Sequence, residues 1–287
     1  YIGNKLAYIN NILRHLEDYG GKIRYKPSDK TDRLFARGIT ALSLPRDVRK
    51  IIYSGCWDLD LAAAHLAISA HLWHLPKLHT LLSAGKSPWK DIAAWLEVDV
   101  EIAKPTLKVA TYGICYGASK TTIESIIRDG DPRKIDSIPL GEEAVEAFFE
   151  HPIIEELMAG RARQQRIIHA QGRLLDAFGR WIGLPWSTDM QGKQRPNYGS
   201  IMSRVAQSHE LKIMLQILPI IKANREIHCV AWQHDGCTVA FGDPSKAERW
   251  LRQMQEAITS YCRLESVPTR LEAEELSIRI TQGYQQV

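Results

Sequence analysis

Trp57-Asp58-Leu59-Asp60-Leu61-Ala62-Ala63-Ala64-His65-Leu66-Ala67-Ile68-Ser69-Ala70-His71-Leu72 changes its period in the middle. The run Ile51 to Leu59 reads as a strand that delivers Asp58 or Asp60 to its end, and from Leu61 to His74 the apolar positions recur at helical spacing. The unit is strand, carboxylate, helix. Far downstream, Val230-Ala231-Trp232-Gln233-His234-Asp235-Gly236-Cys237-Thr238-Val239 sets an Asp-Gly dipeptide between two runs of β-formers, which predicts a hairpin with a tight turn of positive φ. Taken alone, such a dipeptide is an ordinary turn. With Asp60 it gains a second meaning, because two Asp residues from neighbouring strand ends chelate a hard divalent ion through oxygen, as phosphoryl transfer requires. Spacing along the chain does not say whether the two strands are neighbours.

Working outward, residues 4–18 carry Leu6, Ile9, Ile12, Leu13 and Leu16 at helical spacing, and Gly20-Gly21 ends that helix. Lys22 to Lys50 reads as basic and irregular. From Pro76 to Leu184 nearly everything periodic is helical, broken at Gly85-Lys86-Ser87-Pro88, Asp129-Gly130-Asp131-Pro132 and Gly172. A polar loop is expected over 187–200, then a helix from Ser203 to Ile221 and two short strands from Cys229 to Phe241. The fold class is α+β: an antiparallel sheet interrupted by a long helical insertion.

Inside that insertion, Pro105 suggests a helix starting near Lys104. Lys104, Lys108, Tyr112 and Tyr116 then recur every fourth residue along one slowly drifting stripe. Two cations followed by two rings suit a triphosphate at one end and a base at the other; a solvated lysine face with core tyrosines is the plainer alternative. Gly113 inside the helix suggests close approach by something flat.

Composition bounds the class. With 287 residues, 45% of them hydrophobic, the chain has enough apolar surface for a real core. Its apolar runs are too short to span a bilayer and Tyr1-Ile2-Gly3 opens no signal sequence, so the expected compartment is the cytoplasm, with no membrane partner. Five cysteines without C-x-x-C spacing argue against a disulfide framework or zinc module and are expected to be reduced and buried. A net charge of +4 fits a polyanionic partner without requiring one.

Aligned at Asp60, Asp60 to Leu72 resembles motif A of the family A (DNA polymerase I-like) polymerases, an aspartate strand end followed by E-L-R-I-x-A-H-L. Lys104 to Ser119 resembles motif B, R-x3-K-x3-[FY]-G-x2-Y-G-x-S, and Gln233-His234-Asp235-Gly236 resembles motif C, V-H-D-E. Between them, Thr31-Asp32-Arg33-Leu34 is similar to T-G-R-L, Leu44-Pro45-Arg46 to N-I-P-x-R, Asp91-Ile92 to D-I-H, and Phe178-Gly179-Arg180 with Leu184-Pro185 to F-G-R-R-R-x-L-P. Gln207 stands at the P-x-Q-G glutamine, and Val267-Pro268 also has a counterpart, so the resemblance runs over residues 25–287.

The resemblance implies a right-hand polymerase fold: a vestigial thumb helix over 1–24, palm over 25–74 and 187–287, and helical fingers over 75–186, with no proofreading exonuclease. It implies a template-directed DNA polymerase with two Mg2+ ions, or Mn2+ in their place, held by Asp60 and Asp235. Lys104 and Lys108 would bind the incoming nucleoside triphosphate, with Lys108 placed to protonate the leaving group. Tyr112 and Tyr116 would flank the new base pair. Arg33, Gln207, His234 and Arg180 would contact the primer–template nucleic acid, and flanking domains or replication partners, at a nucleoid or a replicating mobile element of a prokaryotic host, are compatible with it. Departures mark where the chain differs. His65 stands where a glutamate excludes the ribose 2′-hydroxyl, Ala67 and Ala93 replace an arginine and a histidine, and Gly236 replaces a carboxylate. A primer-making or RNA polymerase-like enzyme and a non-catalytic nucleic-acid-binding relative are the alternatives. A register with Asp58 at the catalytic position aligns fewer residues than the one with Asp60.

Overall fold

The structure, a computed structural model, describes residues 2–19, 23–28, 31–188, 191–233 and 235–277. In chain order the elements are α1 (Ile2–Tyr19), β1 (Tyr25–Ser28), β2 (Thr31–Ala36), α2 (Arg46–Ile52), β3 (Trp57–Leu61), α3 (Ala64–Leu72), α4 (Pro76–Ser83), α5 (Pro88–Trp95), α6 (Val100–Cys115), α7 (Lys120–Asp129), α8 (Glu143–Glu150) and α9 (Pro152–Gln171). After them come β4 (Arg173–Leu175), β5 (Trp181–Gly183), β6 (Trp186–Thr188), β7 (Gln194–Pro196), α10 (Tyr198–Met214), α11 (Leu218–Ala223), β8 (Ile227–Gln233), β9 (Gly236–Phe241), α12 (Ala247–Leu264) and β10 (Leu271–Glu275). The chain divides into two compact units, one of Tyr1–Leu61, Met214–Ile258 and Leu271–Val287, the other of Ala62–Ile213 and Thr259–Arg270. No helix among the described residues is long and apolar enough to cross a membrane.

The first unit is built on a four-stranded antiparallel sheet in the order β10-β3-β9-β8. Strand alternation sets its faces: Leu59 and Leu61 are buried while Asp60 between them is exposed. Leu59, Cys237 and Val239 are fully buried. In α12, Trp250, Leu251, Met254 and Ile258 bury one helical face. A further cluster joins Ile12 of α1 to Ala41, Leu44, Tyr53, Ala231 and Leu276.

The second unit is mostly helical. Its α3 is buried on every side, with Ala64 through Ala70 all buried, so it reads as a core helix rather than an amphipathic one. Burying Leu66 and Ile68 completely contributes about 1.5–3 kcal/mol each. The helix is entered through Ala63, whose φ of 46° lies in the left-handed region that a Cβ disfavours. That turn is pinned by two bonds: Ala62 N donates to Arg270 O at 2.9 Å, and Thr269 Oγ1 donates to Ala62 O at 2.7 Å.

Several expectations are corrected. The strand begins at Trp57, because Arg46–Ile52 is a helix with Asp47 in its first turn, and Gly55 at φ 82° turns the chain before the sheet. Lys22 to Lys50 contains the antiparallel pair β1–β2 as well as the start of α2. The stripe helix starts at Val100, not Lys104: the Asp99 carboxylate caps it by accepting from Glu101 N at 2.8 Å, and Pro105 lies inside. The expected loop 187–200 holds the hairpin β6–β7 and the start of α10. Gly236 is a strand residue without positive φ. All five cysteines are free; Cys115, Cys237 and Cys262 are buried, but Cys56 is only half-buried and Cys229 is exposed.

His209 of α10 faces His71 of α3, ring centroids 6.4 Å apart. Burial, then the neighbouring His71 and Lys212 charges, pushes His209 down to about 4, and burial also lowers His71. The unfolded chain takes up a proton on His209 near its ordinary 6.5, whereas the folded chain resists until about 4. Stability is therefore intact above pH 6.5 and is lost as pH falls through that window, by up to about 3 kcal/mol. Urea unfolding at pH 7 and pH 4.5 is expected to show this loss, and His209→Gln to reduce it. An equal loss in both proteins would exclude His209 as the source.

Candidate functional site

In the first unit the carboxylates are gathered by the sheet. β3 pairs with β9 so that Asp60 lies opposite Gly236, and Asp235 immediately precedes it. Leu61 N donates both to Asp60 Oδ1 at 3.1 Å and to Asp235 O at 3.2 Å, which ties the two strand ends together. A Cβ on Gly236 would fall on Leu59 O and lie 3.1 Å from Asp60 Oδ1. Glycine is therefore required here by the close approach of two strands, a different reason from the turn geometry its Asp-Gly context suggested.

Asp58 and Asp60 share a face two residues apart but not an environment. Asp58 is half-buried and accepts from Thr238 Oγ1 at 3.1 Å, whereas Asp60 is exposed. On the other side of β3, Glu272 of β10 is in register with Asp60. Sequence reasoning passed over Glu272, and no local signal marks it, since β10 reaches Asp60 only through the sheet. Among the described residues no group of three or more His, Cys, Asp or Glu side chains is assembled for a metal. Asp60 and Asp235 nonetheless fit a hard divalent ion, being oxygen donors on adjacent strand ends beside a residue without a side chain.

In the second unit the stripe of α6 is present. Lys104 is half-buried, Lys108 exposed, Tyr112 half-buried and Tyr116 exposed. Lys108 Nζ stands 5.9 Å from the centroid of the Trp89 ring, which also packs edge-on to Tyr112 at 5.6 Å. Trp89, at the start of α5, was not singled out from sequence. Ala93, one turn later, is buried. The α6 end is held close to α10, because Gly117 and Gly199 let their backbones meet: a Cβ on Gly117 would lie 3.1 Å from Gly199 Cα.

Beneath these rings lies His65. Its ring is 4.5 Å from that of Tyr116 and 6.4 Å from that of Tyr112. Its Nδ1 meets Glu210 Oε1 at 3.2 Å, with the two side chains only 5% and 2% exposed. Glu210 was missed from sequence; it stands one turn beyond Gln207 on α10, and only folding shows that its carboxylate meets the His65 ring. Gln207 is half-buried and donates to Ser203 Oγ at 2.9 Å.

Arg180 belongs elsewhere in the unit, in the loop of the β4–β5 hairpin, where its Nε donates to Asp176 at 2.6 Å. Asp176 also accepts from Phe178 N and Arg180 N. Burial pushes this carboxyl up, but the bonds from Arg180 and Phe178 prevail and hold it below the usual carboxylate range. Arg33 lies in β2, with its side chain outside the described residues, and His234 lies outside them altogether.

The fold is that of a polymerase domain. The chain is similar to the POL domain of Pol1 from M. smegmatis, solved in complex with DNA primer-template and dNTP, with a TM-score of 0.69 and 14% sequence identity. The likeness covers 95% of this chain and 50% of that one, so the chain spans about half the length of the structure it matches. No protein-family model and no curated protein matches the sequence.

Proposed function

We propose that this chain is the catalytic core of a template-directed nucleotidyltransferase of the family A kind, adding nucleotides to a primer 3′ end. The observation that carries the reading is the register of β3 on β9, with Asp60 against Gly236 and Asp235 beside it. The similarity to a polymerase domain solved with primer-template and dNTP supports it. In this reading residues 25–74 and 187–287 form the palm, 75–186 the fingers and 1–24 a reduced thumb.

Asp60 and Asp235 would hold two magnesium or manganese ions, which supply Lewis acidity to the primer hydroxyl and to the departing pyrophosphate. The chain's own groups do the rest. Lys104 and Lys108 neutralise the triphosphate, and Lys108, exposed and resting near Trp89, donates a proton to the leaving group. Tyr112 and Tyr116 present flat apolar surface to the nascent pair, and Arg33, Gln207, His234 and Arg180 contact primer–template without reading sequence.

The test is extension of a labelled primer on a DNA template, with each nucleotide set in turn. Magnesium-dependent growth of the primer, abolished by chelator, is the expected result; no incorporation with either sugar and either metal would refute it. A second reading, use of ribonucleotides, is favoured by the His65–Glu210 pair, since an imidazole can hydrogen-bond a ribose hydroxyl where a glutamate would exclude it.

A further inference from the structure

Between α9 and α10 the chain makes two consecutive hairpins, β4–β5 and β6–β7. The first has two different faces. Leu174 pairs with Ile182, which is buried, while Arg173, Leu175 and Trp181 alternate to the other side. There Leu175 is 48% and Trp181 53% exposed. Arg173 lies opposite Gly183, beside which a Cβ would meet nothing within 4 Å. Its guanidinium is laid over the indole of Trp181, 4.1 Å from the centroid. In the hairpin loop Arg180 stands 5.3 Å from the ring of exposed Phe178. On the second hairpin Trp186 is 61% exposed, opposite Pro196.

Two features separate this surface from scattered exposed side chains. Leu175 lies directly opposite Trp181 on the first hairpin, and Phe178 and Trp186 are exposed in the adjoining loop and the next hairpin, all four within twelve consecutive residues. The backbone that carries these side chains is also tied by hydrogen bonds. The buried Asp176 ties the first loop, Ala177 N donates to Ser208 Oγ at 2.9 Å, and Leu184 N and Asn197 N close the two hairpins on Gly172 O and Pro185 O, each at 2.8 Å. Ordering this backbone on a partner therefore costs little entropy.

Its chemistry selects the partner. From Gly172 to Asn197 the sequence carries Arg173, Arg180, Lys193 and Arg195 against Asp176 and Asp189, and Asp176 is turned inward to organise the loop. Exposed indoles among cations suit a chain whose rings are unpaired and whose backbone is anionic. We infer that the outward face of these hairpins binds an unpaired stretch of nucleic acid, with bases stacking on Trp186 and on the Arg173–Trp181 pair and the basic residues facing phosphates. The inference rests on the same nucleic-acid partner as the proposed function but not on catalysis.

The experiment measures fluorescence anisotropy of labelled twenty-nucleotide dT and U oligomers and of a duplex of equal length, without nucleotides or metal. The wild-type chain is expected to bind the single strands, more weakly as salt rises. Trp181→Ala and Trp186→Ala should each weaken single-strand binding about tenfold while changing duplex binding less than about twofold. Trp181→Phe should restore most of the loss, and Tyr8→Ala, which removes an exposed ring from α1, should change nothing. Thermal unfolding confirms that each variant is folded. Comparing dT with U tells which sugar the surface takes. No single-strand binding by the wild type, unchanged binding by the Trp181→Ala/Trp186→Ala double variant, or equal losses on duplex would each overturn the inference. A positive binding result beside a chain that extends no primer would leave this surface standing and remove the proposed activity.

Discussion

Asp60→Asn is expected to lower primer extension by about a thousandfold or more while leaving primer–template affinity nearly unchanged. An amide keeps the shape of the carboxylate but not the charge that binds a hard cation, and loss of such a ligand removes several kcal/mol of transition-state stabilisation. Affinity for nucleic acid comes mainly from lysine and arginine contacts to phosphate, which the substitution leaves intact. Because Asp60 is exposed at a strand end, the fold should survive. Asp235→Asn should behave the same way. Asp58→Asn is the informative contrast: its amide oxygen can still accept the Thr238 hydroxyl inside the sheet, so the change should cost no more than about 1 kcal/mol of stability and little activity. Steady-state extension, filter binding and thermal unfolding on the three variants check this. Near-normal extension by Asp60→Asn, with activity lost only in Asp58→Asn, would move the reading to the other register.

The second large effect concerns Glu210. Glu210→Ala strips His65 of its buried partner at Nδ1 and should destabilise the second unit by about 1–3 kcal/mol. Glu210→Gln, which keeps an acceptor, should recover much of that. The pair also orients the imidazole against Tyr116, so its loss should change sugar choice. The ratio of kcat/KM for a matched deoxy- and ribonucleotide pair should shift about tenfold toward ribose in His65→Ala and in Glu210→Ala, and toward deoxyribose in His65→Glu. In the double variant the two shifts should not add, because Glu210 acts through His65. A ratio unchanged across all of these would remove His65 from sugar selection, whatever happened to stability.

How much of this was legible depended on whether the cause was local. The helix α6, the β8–β9 hairpin around Asp235 and the helix α3 follow from periodicity and turn chemistry within a few residues, and each is present, although α3, which carries His65, Ser69 and His71, is buried from Ala64 to Ala70 and not on one face alone. Boundaries failed where two local signals competed. Pro105 suggested a helix start, yet Asp99 six residues earlier supplies the cap, and Pro105 lies inside the helix at the cost of one backbone hydrogen bond. Ile51 and Ile52 suggested a strand because β-branched residues favour one, yet they end a helix whose start at Arg46 is fixed by Pro45 and Asp47.

By itself the sequence determined an antiparallel sheet, a helical body, and which short segments carry chemistry, because hydrophobic period, caps and turns act over a few residues. Only the tertiary structure decided which of those segments touch. The pairing of Asp60 with Gly236 and of Glu272 with Asp60 is set by strand register between segments far apart in the chain, and Glu210 reaches His65 only because α3 and α10 share one core. Such contacts follow from burial and close packing of the whole chain, and no window of sequence contains them.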